Sequence, residues 1–145
     1  MMRVLIVEAR FYPEISDELY EGAAAALKSA NVTSDRVEVP GALEIPAAIK
    51  LAAGQYDGFV ALGCVMRGET YHFEVVSNES ASGLMRVQLD TDVPVFSAVL
   101  TPRDFHDHAD HQHFYAEHFK KKGVEVAQAC MATLDSLERL PALPR

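Results

Sequence analysis

His72 follows a short polar segment at the point where an apolar run gives way to a helical pattern. Gly68, Glu69 and Thr70 precede it and could offer backbone N–H groups, with the Thr70 hydroxyl as a further donor. N–H groups at a helix start bind phosphate without a dedicated side chain. An imidazole titrates near neutral pH and can carry protons in both directions. Segment 61–74 therefore predicts acid–base chemistry beside a phosphate site.

The same residues also have ordinary structural roles. Thr70 suits the N-cap of a helix, which is compatible with phosphate binding. A single histidine at a helix start is more often a cap or a surface residue than a catalyst. Arg67 could steer an anion or form a weakly stabilising surface pair with Glu74. This segment by itself leaves both interpretations open.

Two other segments carry residue types suited to a planar ligand with hydroxyl groups. Phe11 follows the first apolar run, where its ring could stack on a heterocycle or pack against the next helix. Gly41 would let a ligand approach the backbone closely. Glu44 could accept hydrogen bonds from hydroxyls, although a glutamate in a first helical turn also complements the helix dipole.

Five of the six histidines lie between His106 and His118, interleaved with aspartates. Histidine and aspartate are metal-ligand types, but the spacing matches no tight structural zinc pattern and cysteine ligands are missing. A metal-responsive module, a weakly basic patch facing an anionic substrate and a helix entry at a subunit contact all remain open. We predict no dedicated metal site.

Strands and helices must alternate to position these segments. The patterns predict strands and helices at these residues: 3–9, 35–39, 58–64 and 93–100 for strands; 15–30, 43–53, 71–89 and 109–137 for helices. Ser16 or Asp17 is the expected cap of the first helix, and the last helix is expected to break near Gly123. The alternation predicts a doubly wound α/β sandwich, in which ligands bind beyond the carboxyl ends of the strands. Without a linker or repeat, we expect one domain over residues 1–145.

The composition narrows the function classes. The net charge is −8, and no basic run exceeds Lys120–Lys122, which argues against a nucleic-acid binder. Cys64 and Cys130 have apolar neighbours and are expected to be core residues of a reduced protein. The first residues lack the layout of a signal peptide, and no apolar run approaches bilayer length, so we expect a cytoplasmic protein.

Taken together, these segments resemble the lumazine synthase family of riboflavin biosynthesis. The resemblance rests on four segments in the same order: 10–11, 40–46, 63–74 and 93–101. It implies a flavodoxin-like three-layer α/β/α sandwich with a four-stranded, mainly parallel sheet. It also implies condensation of 5-amino-6-(D-ribitylamino)uracil with 3,4-dihydroxy-2-butanone 4-phosphate, without a cofactor, to give 6,7-dimethyl-8-ribityllumazine, phosphate and water. The alternative is a weakly active member that acts as a riboflavin- or flavin-binding protein.

The resemblance also implies roles for individual residues. His72 would shuttle protons, Phe11 would stack on the pyrimidine, and Glu44 would bind ribityl hydroxyls. The pyrimidine and ribityl contacts would come from Phe11, Ala42, Leu43, Glu44, Val65, Met66 and Ser97. The phosphate contacts would come from Gly68, Glu69, Thr70 and His111.

The chain departs from the family pattern at two places. Tyr12 stands where asparagine is common, and His111 stands where many members carry a phosphate-contacting arginine in the final helix. The segment from Thr101 to Gly123 resembles the divergent type II branch known from some alphaproteobacteria. His111, His113 or Arg103 could replace the arginine. A neutral imidazole binds phosphate less well than a guanidinium, so we expect a higher KM for the phosphate substrate at alkaline pH.

Family members assemble as pentamers, dimers of pentamers or sixty-subunit shells, with each site shared between neighbours. By resemblance, Phe11 and His72 belong to one subunit, while the final-helix group and residues near Ser97 come from the next. The short N-terminal segment and an insertion near the histidines favour a pentamer or a decamer over a shell.

Overall fold

The computed structural model describes residues 2–10, 13–66, 69–101 and 109–142, without the side chains of residues 13–14, 109–116 and 142. The described strands are β1 (Arg3–Ala9), β2 (Thr33–Val39), β3 (Gly58–Cys64) and β4 (Val95–Leu100). The α-helices are α1 (Pro13–Ser29), α2 (Ile45–Ala52), α3 (His72–Thr91) and α4 (Ala109–Arg139). Single 3₁₀ turns occur at Ala42–Glu44, Ala53–Gln55 and Leu140–Ala142.

All four described strands are parallel, in the order β2-β1-β3-β4. β1 and β3 occupy the centre of the sheet, and almost all of their residues are buried. Such strands read as continuous apolar runs because helices cover both faces of the sheet. The predicted three-layer α/β/α architecture is confirmed, and the sheet is parallel throughout rather than mainly parallel.

Two apolar cores lie on opposite faces of the sheet. Alternate residues of β1 point in opposite directions, so Val4 and Ile6 enter one core while Leu5 and Val7 enter the other. α1 and α4 cover the first core, and α2 and α3 cover the second. No helix in the described part of the chain is long and apolar enough to cross a membrane.

α1 and α4 approach each other so closely that their backbones touch at two glycines. A Cβ atom on Gly22 would lie 2.2 Å from the Lys120 carbonyl oxygen, and one on Gly123 would lie 2.1 Å from the Leu19 carbonyl oxygen. α4 runs without interruption through Gly123, so the predicted break there is wrong. Gly123 allows the two helices to cross at close range, because any larger residue would push them apart.

Other differences concern the element ends. α1 begins at Pro13, so the prediction that Ser16 or Asp17 caps it is wrong. The second predicted helix opens as a 3₁₀ turn, and Pro46 lies in the first turn of α2, where a missing N–H costs little. α3 extends to Thr91 and ends on Asp92 in the left-handed conformation, which delays β4 to Val95.

The glycine crossing predicts a large effect of one added methyl group. Gly123→Ala should lower the free energy of unfolding by about 3 kcal/mol, because the methyl would overlap backbone atoms that cannot rotate away. Urea denaturation measures the change. Gly54→Ala is the matched control, since no described atom lies within 4 Å of its Cβ position and its φ is not positive. A loss below about 1 kcal/mol for Gly123→Ala would contradict the close crossing.

Candidate functional site

Four segments leave the sheet at the same edge, because all strands run in one direction. Ala9 aligns with Val39, and Cys64 aligns with Leu100, so the strands end at nearly the same level. In doubly wound folds this carboxyl edge is where ligands bind. The described ends of β1, β2 and β3, from which the predicted site segments continue, therefore lie at this edge.

A buried apolar layer supports this edge. Ala9, Ala42, Val65 and Phe73 belong to one core cluster, and each is less than one-tenth exposed. The 3₁₀ turn Ala42–Glu44 contacts both β1 and α3. The structure thus packs the turn after β2 against α3 and places Val65 and Phe73 in the same core cluster as Ala42.

The turn after β2 presents a carboxylate next to an open stretch of backbone. Glu44 and Leu43 are exposed, and the Glu44 N–H donates to the Gly41 carbonyl at 3.1 Å. A Cβ on Gly41 would lie 3.1 Å from Glu44 Oε1. Gly41 has ordinary extended backbone (φ −153°), so glycine provides space here rather than an unusual conformation. An exposed carboxylate in this position can accept hydrogen bonds from hydroxyl groups.

His72 is the first residue of α3 and is exposed. Its backbone N–H donates to the Thr70 hydroxyl at 3.4 Å, while Tyr71 occupies the N-cap without a side-chain cap bond. The N-cap is therefore Tyr71 rather than the predicted Thr70, which lies one position before it. The start of a twenty-residue helix carries positive partial charge, which favours an anion beside Glu69 and Thr70. The predicted site residues Phe11 and Gly68 lie outside the described residues.

The residues after β3 form a half-buried sulfur pair. Cys64 Sγ lies 3.8 Å from Met66 Sδ. Burial raises the pKa of the Cys64 thiol to about 12, and burial does the same for Cys130. Both cysteines are free and stay protonated near neutral pH, so neither supplies a thiolate nucleophile.

Ser97 lies away from the other predicted contacts. It sits on the outer strand β4, aligned with Ala61, three residues before the strand ends. Its hydroxyl accepts a hydrogen bond from the Val99 N–H at 3.2 Å. Two shallow cavities of about 360 and 230 Å³ flank it, one toward α4 and the other toward α3. The fold of one subunit does not bring Ser97 to the carboxyl edge.

The histidine-rich segment is only partly described. His111 lies in the first turn of α4, but its side chain is outside the described set. Among the residues that are described, no group of three or more histidine, cysteine, aspartate or glutamate side chains could hold a metal ion.

Sequence reasoning missed a charged cluster beneath the end of β1. Glu8 is only 2% exposed and pairs with Arg10 and Arg36, and Arg10 also pairs with Asp17. A carboxylate near the end of an otherwise apolar, buried strand was the available signal, since such a group requires a partner.

Comparisons with known proteins agree with one another. A family model described as 6,7-dimethyl-8-ribityllumazine synthase matches residues 1–138. A protein of that name from Rhodococcus erythropolis is 44% identical, with 96% of this chain and 93% of the relative aligned. Another from Sphingopyxis alaskensis is 48% identical, with 92% and 94% aligned.

A solved structure supports the fold independently. An NAD(P)H:quinone oxidoreductase from Methanothermobacter marburgensis superposes with a TM-score of 0.50 at 13% identity, covering 85% of this chain and 98% of that one. At this identity the likeness concerns the flavodoxin-like fold alone. The family model spans nearly the whole sequence, and the chain belongs to the 6,7-dimethyl-8-ribityllumazine synthase family.

Proposed function

We propose that this chain condenses 5-amino-6-(D-ribitylamino)uracil with 3,4-dihydroxy-2-butanone 4-phosphate to 6,7-dimethyl-8-ribityllumazine, releasing phosphate and water. The type of reaction is inferred from membership of this family. The structural observation that supports it is the contact between the Ala42–Glu44 turn and α3, the helix whose first residue, His72, is exposed. A hydroxyl-accepting carboxylate and a phosphate-binding helix start thereby face one edge of the sheet.

The proposed site has two halves. The pyrimidine and ribityl half uses the ring of Phe11 and the carboxylate of Glu44, with further contacts from Ala42, Leu43, Val65 and Met66. Val65 is buried and Met66 is half-buried, which suits the wall of a ring pocket. The phosphate half uses Gly68, Glu69 and Thr70 at the positive end of α3.

His72 is proposed to move protons between these halves. The primary amine attacks the ketone and a first water leaves, phosphate is then eliminated, and attack of the ribityl-bearing amine on the remaining carbonyl closes the ring and releases a second water. Each step transfers a proton, and an imidazole can act as both donor and acceptor. The amine is already nucleophilic, so much of the acceleration comes from holding the two reactants together.

Removal of the imidazole tests this role. His72→Ala should lower kcat about hundredfold, the low end of general acid–base effects, with both KM values within about threefold of wild type. Lumazine absorbance and phosphate release measure turnover. His118→Ala, another exposed histidine, should retain wild-type turnover. An unchanged kcat in His72→Ala would overturn the assignment. Tight riboflavin binding by a wild-type protein without turnover would favour a flavin-binding function instead.

His111 is proposed to bind the substrate phosphate from the first turn of α4. The protonated imidazolium attracts the phosphate, and this attraction is lost as the pH rises through the histidine pKa. The KM for the butanone phosphate should therefore rise between about pH 6 and 8.5, while the KM for the pyrimidine stays flat. His111→Arg should remove the pH dependence, because a guanidinium stays charged. A flat wild-type profile would contradict the proposal.

We also propose a cytoplasmic homo-oligomer, a pentamer or a dimer of pentamers, in which neighbours share each site. The position of Ser97 on the outer strand, away from the carboxyl edge of its own subunit, supports a contact with the neighbour's site. Two free, protonated cysteines fit a reducing compartment. Light scattering should give five or ten times the subunit mass of 15.9 kDa. A monomer or a sixty-subunit particle would contradict this assembly.

A further inference from the structure

Glu8 is a buried carboxylate near the end of β1. Its exposure is 2%, and it lies on the face of the sheet that carries Val4 and Ile6, beneath α1. Burial of a carboxylate without partners is costly, so its surroundings must supply positive charge.

Two arginines supply this charge. Arg36 Nε donates to Glu8 Oε1 at 2.8 Å, and Arg36 Nη2 contacts the same oxygen. The Arg36 guanidinium also lies 3.7 Å from the centre of the Tyr20 ring, a cation–π contact with α1. Arg10 Nη1 donates to Glu8 Oε1 at 3.0 Å. Glu8 therefore pairs with Arg36 of β2 and with Arg10, the residue that follows β1.

Arg10 connects three elements. Its Nη2 donates to Asp17 Oδ1 of α1 at 2.6 Å, and its Nε lies 3.7 Å from Glu38 Oε1 of β2. The hydrogen bond with Asp17 raises the pKa of Arg10, as do its interactions with Glu8. Its side chain is 24% exposed, so these contacts are partly shielded from water. Charge-assisted hydrogen bonds with such geometry are stronger and more directional than neutral ones.

Two residues separate Arg10 from the start of α1. Phe11 and Tyr12 must connect Arg10 to Pro13, and a chain extends by at most about 3.5 Å per residue. The Arg10 side chain fixes the end of β1 through Glu8 and the start of α1 through Asp17. Both attachment points of the segment are thereby held at a set separation.

We propose that Arg10 is a positioning residue for the pyrimidine-binding segment, acting through its ion pairs with Glu8 and Asp17. This inference rests on the proposed stacking role of Phe11. Arg10 does not contact the substrate in this proposal. Its pairs hold the described residues on both sides of residues 11–12, β1 through Glu8 and α1 through Asp17, and this support lowers the ordering cost of pyrimidine binding.

Arg10→Met tests the proposal, because it keeps the length and removes the charge. The KM for the pyrimidine should rise about tenfold, since small misplacements of a binding group are costly, while the KM for the butanone phosphate stays within about twofold. Arg10→Lys should recover part of the loss, because an amine can hold one carboxylate but not both in a fork.

Arg3→Met is the matched control. Arg3 begins the same strand and pairs with Asp35 at 3.0 Å, but both side chains are about half exposed and lie at the opposite edge of the sheet. Both KM values should be unchanged in this variant, because exposed pairs contribute little.

The outcomes separate this inference from the function on which it rests. If Phe11→Ala fails to raise the KM for the pyrimidine, the proposed stacking role is wrong. If Phe11→Ala raises that KM and Arg10→Met does not, or if Arg10→Met raises both KM values equally, the positioning role is overturned. If Arg10→Met does not fold, the same comparison of KM values is made with Asp17→Asn. This substitution weakens only the contacts of the two arginines with Asp17 of α1.

Discussion

The parallel pairing of the four strands is the constraint on which the rest of this structure depends. A parallel neighbour can be reached only by crossing over the sheet, so each connection between described strands contains a helix. Every described strand then ends at the same edge of the sheet. The location of the candidate site follows from strand direction before any side chain is considered.

At this edge of the sheet, buried residues that pack the core lie close in the chain to exposed polar residues. Ala42 and Val65 are buried in a common core cluster, while Glu44 and His72 stand exposed a few residues away in the chain. Functional groups on such a packed layer need little rearrangement to meet a ligand, since the backbone that carries them is already fixed.

The sequence predicted β1 and β3 to the residue, because strands buried on both faces leave a continuous apolar pattern. The order of segments along the chain also led to the predicted site residues, whose roles stay predictions. The sequence misjudged Gly123 as a helix break, since a glycine required by a crossing helix looks the same in sequence as one that ends a helix. It missed the pair of Glu8 with Arg36, which are 28 residues apart, because only strand register brings them together.

Because α4 is one continuous helix, a change of angle where it crosses α1 would displace its first turn. Gly123 lies twelve residues after His111 in an unbroken helix, which places the crossing about 18 Å from the end that carries this histidine. A tilt of about 5° at the crossing would displace that end by roughly 1.6 Å, which is enough to weaken the proposed phosphate contact of His111. The close approach of Gly22 and Gly123 to the backbone of the opposite helix thus fixes the position of the distant first turn of α4.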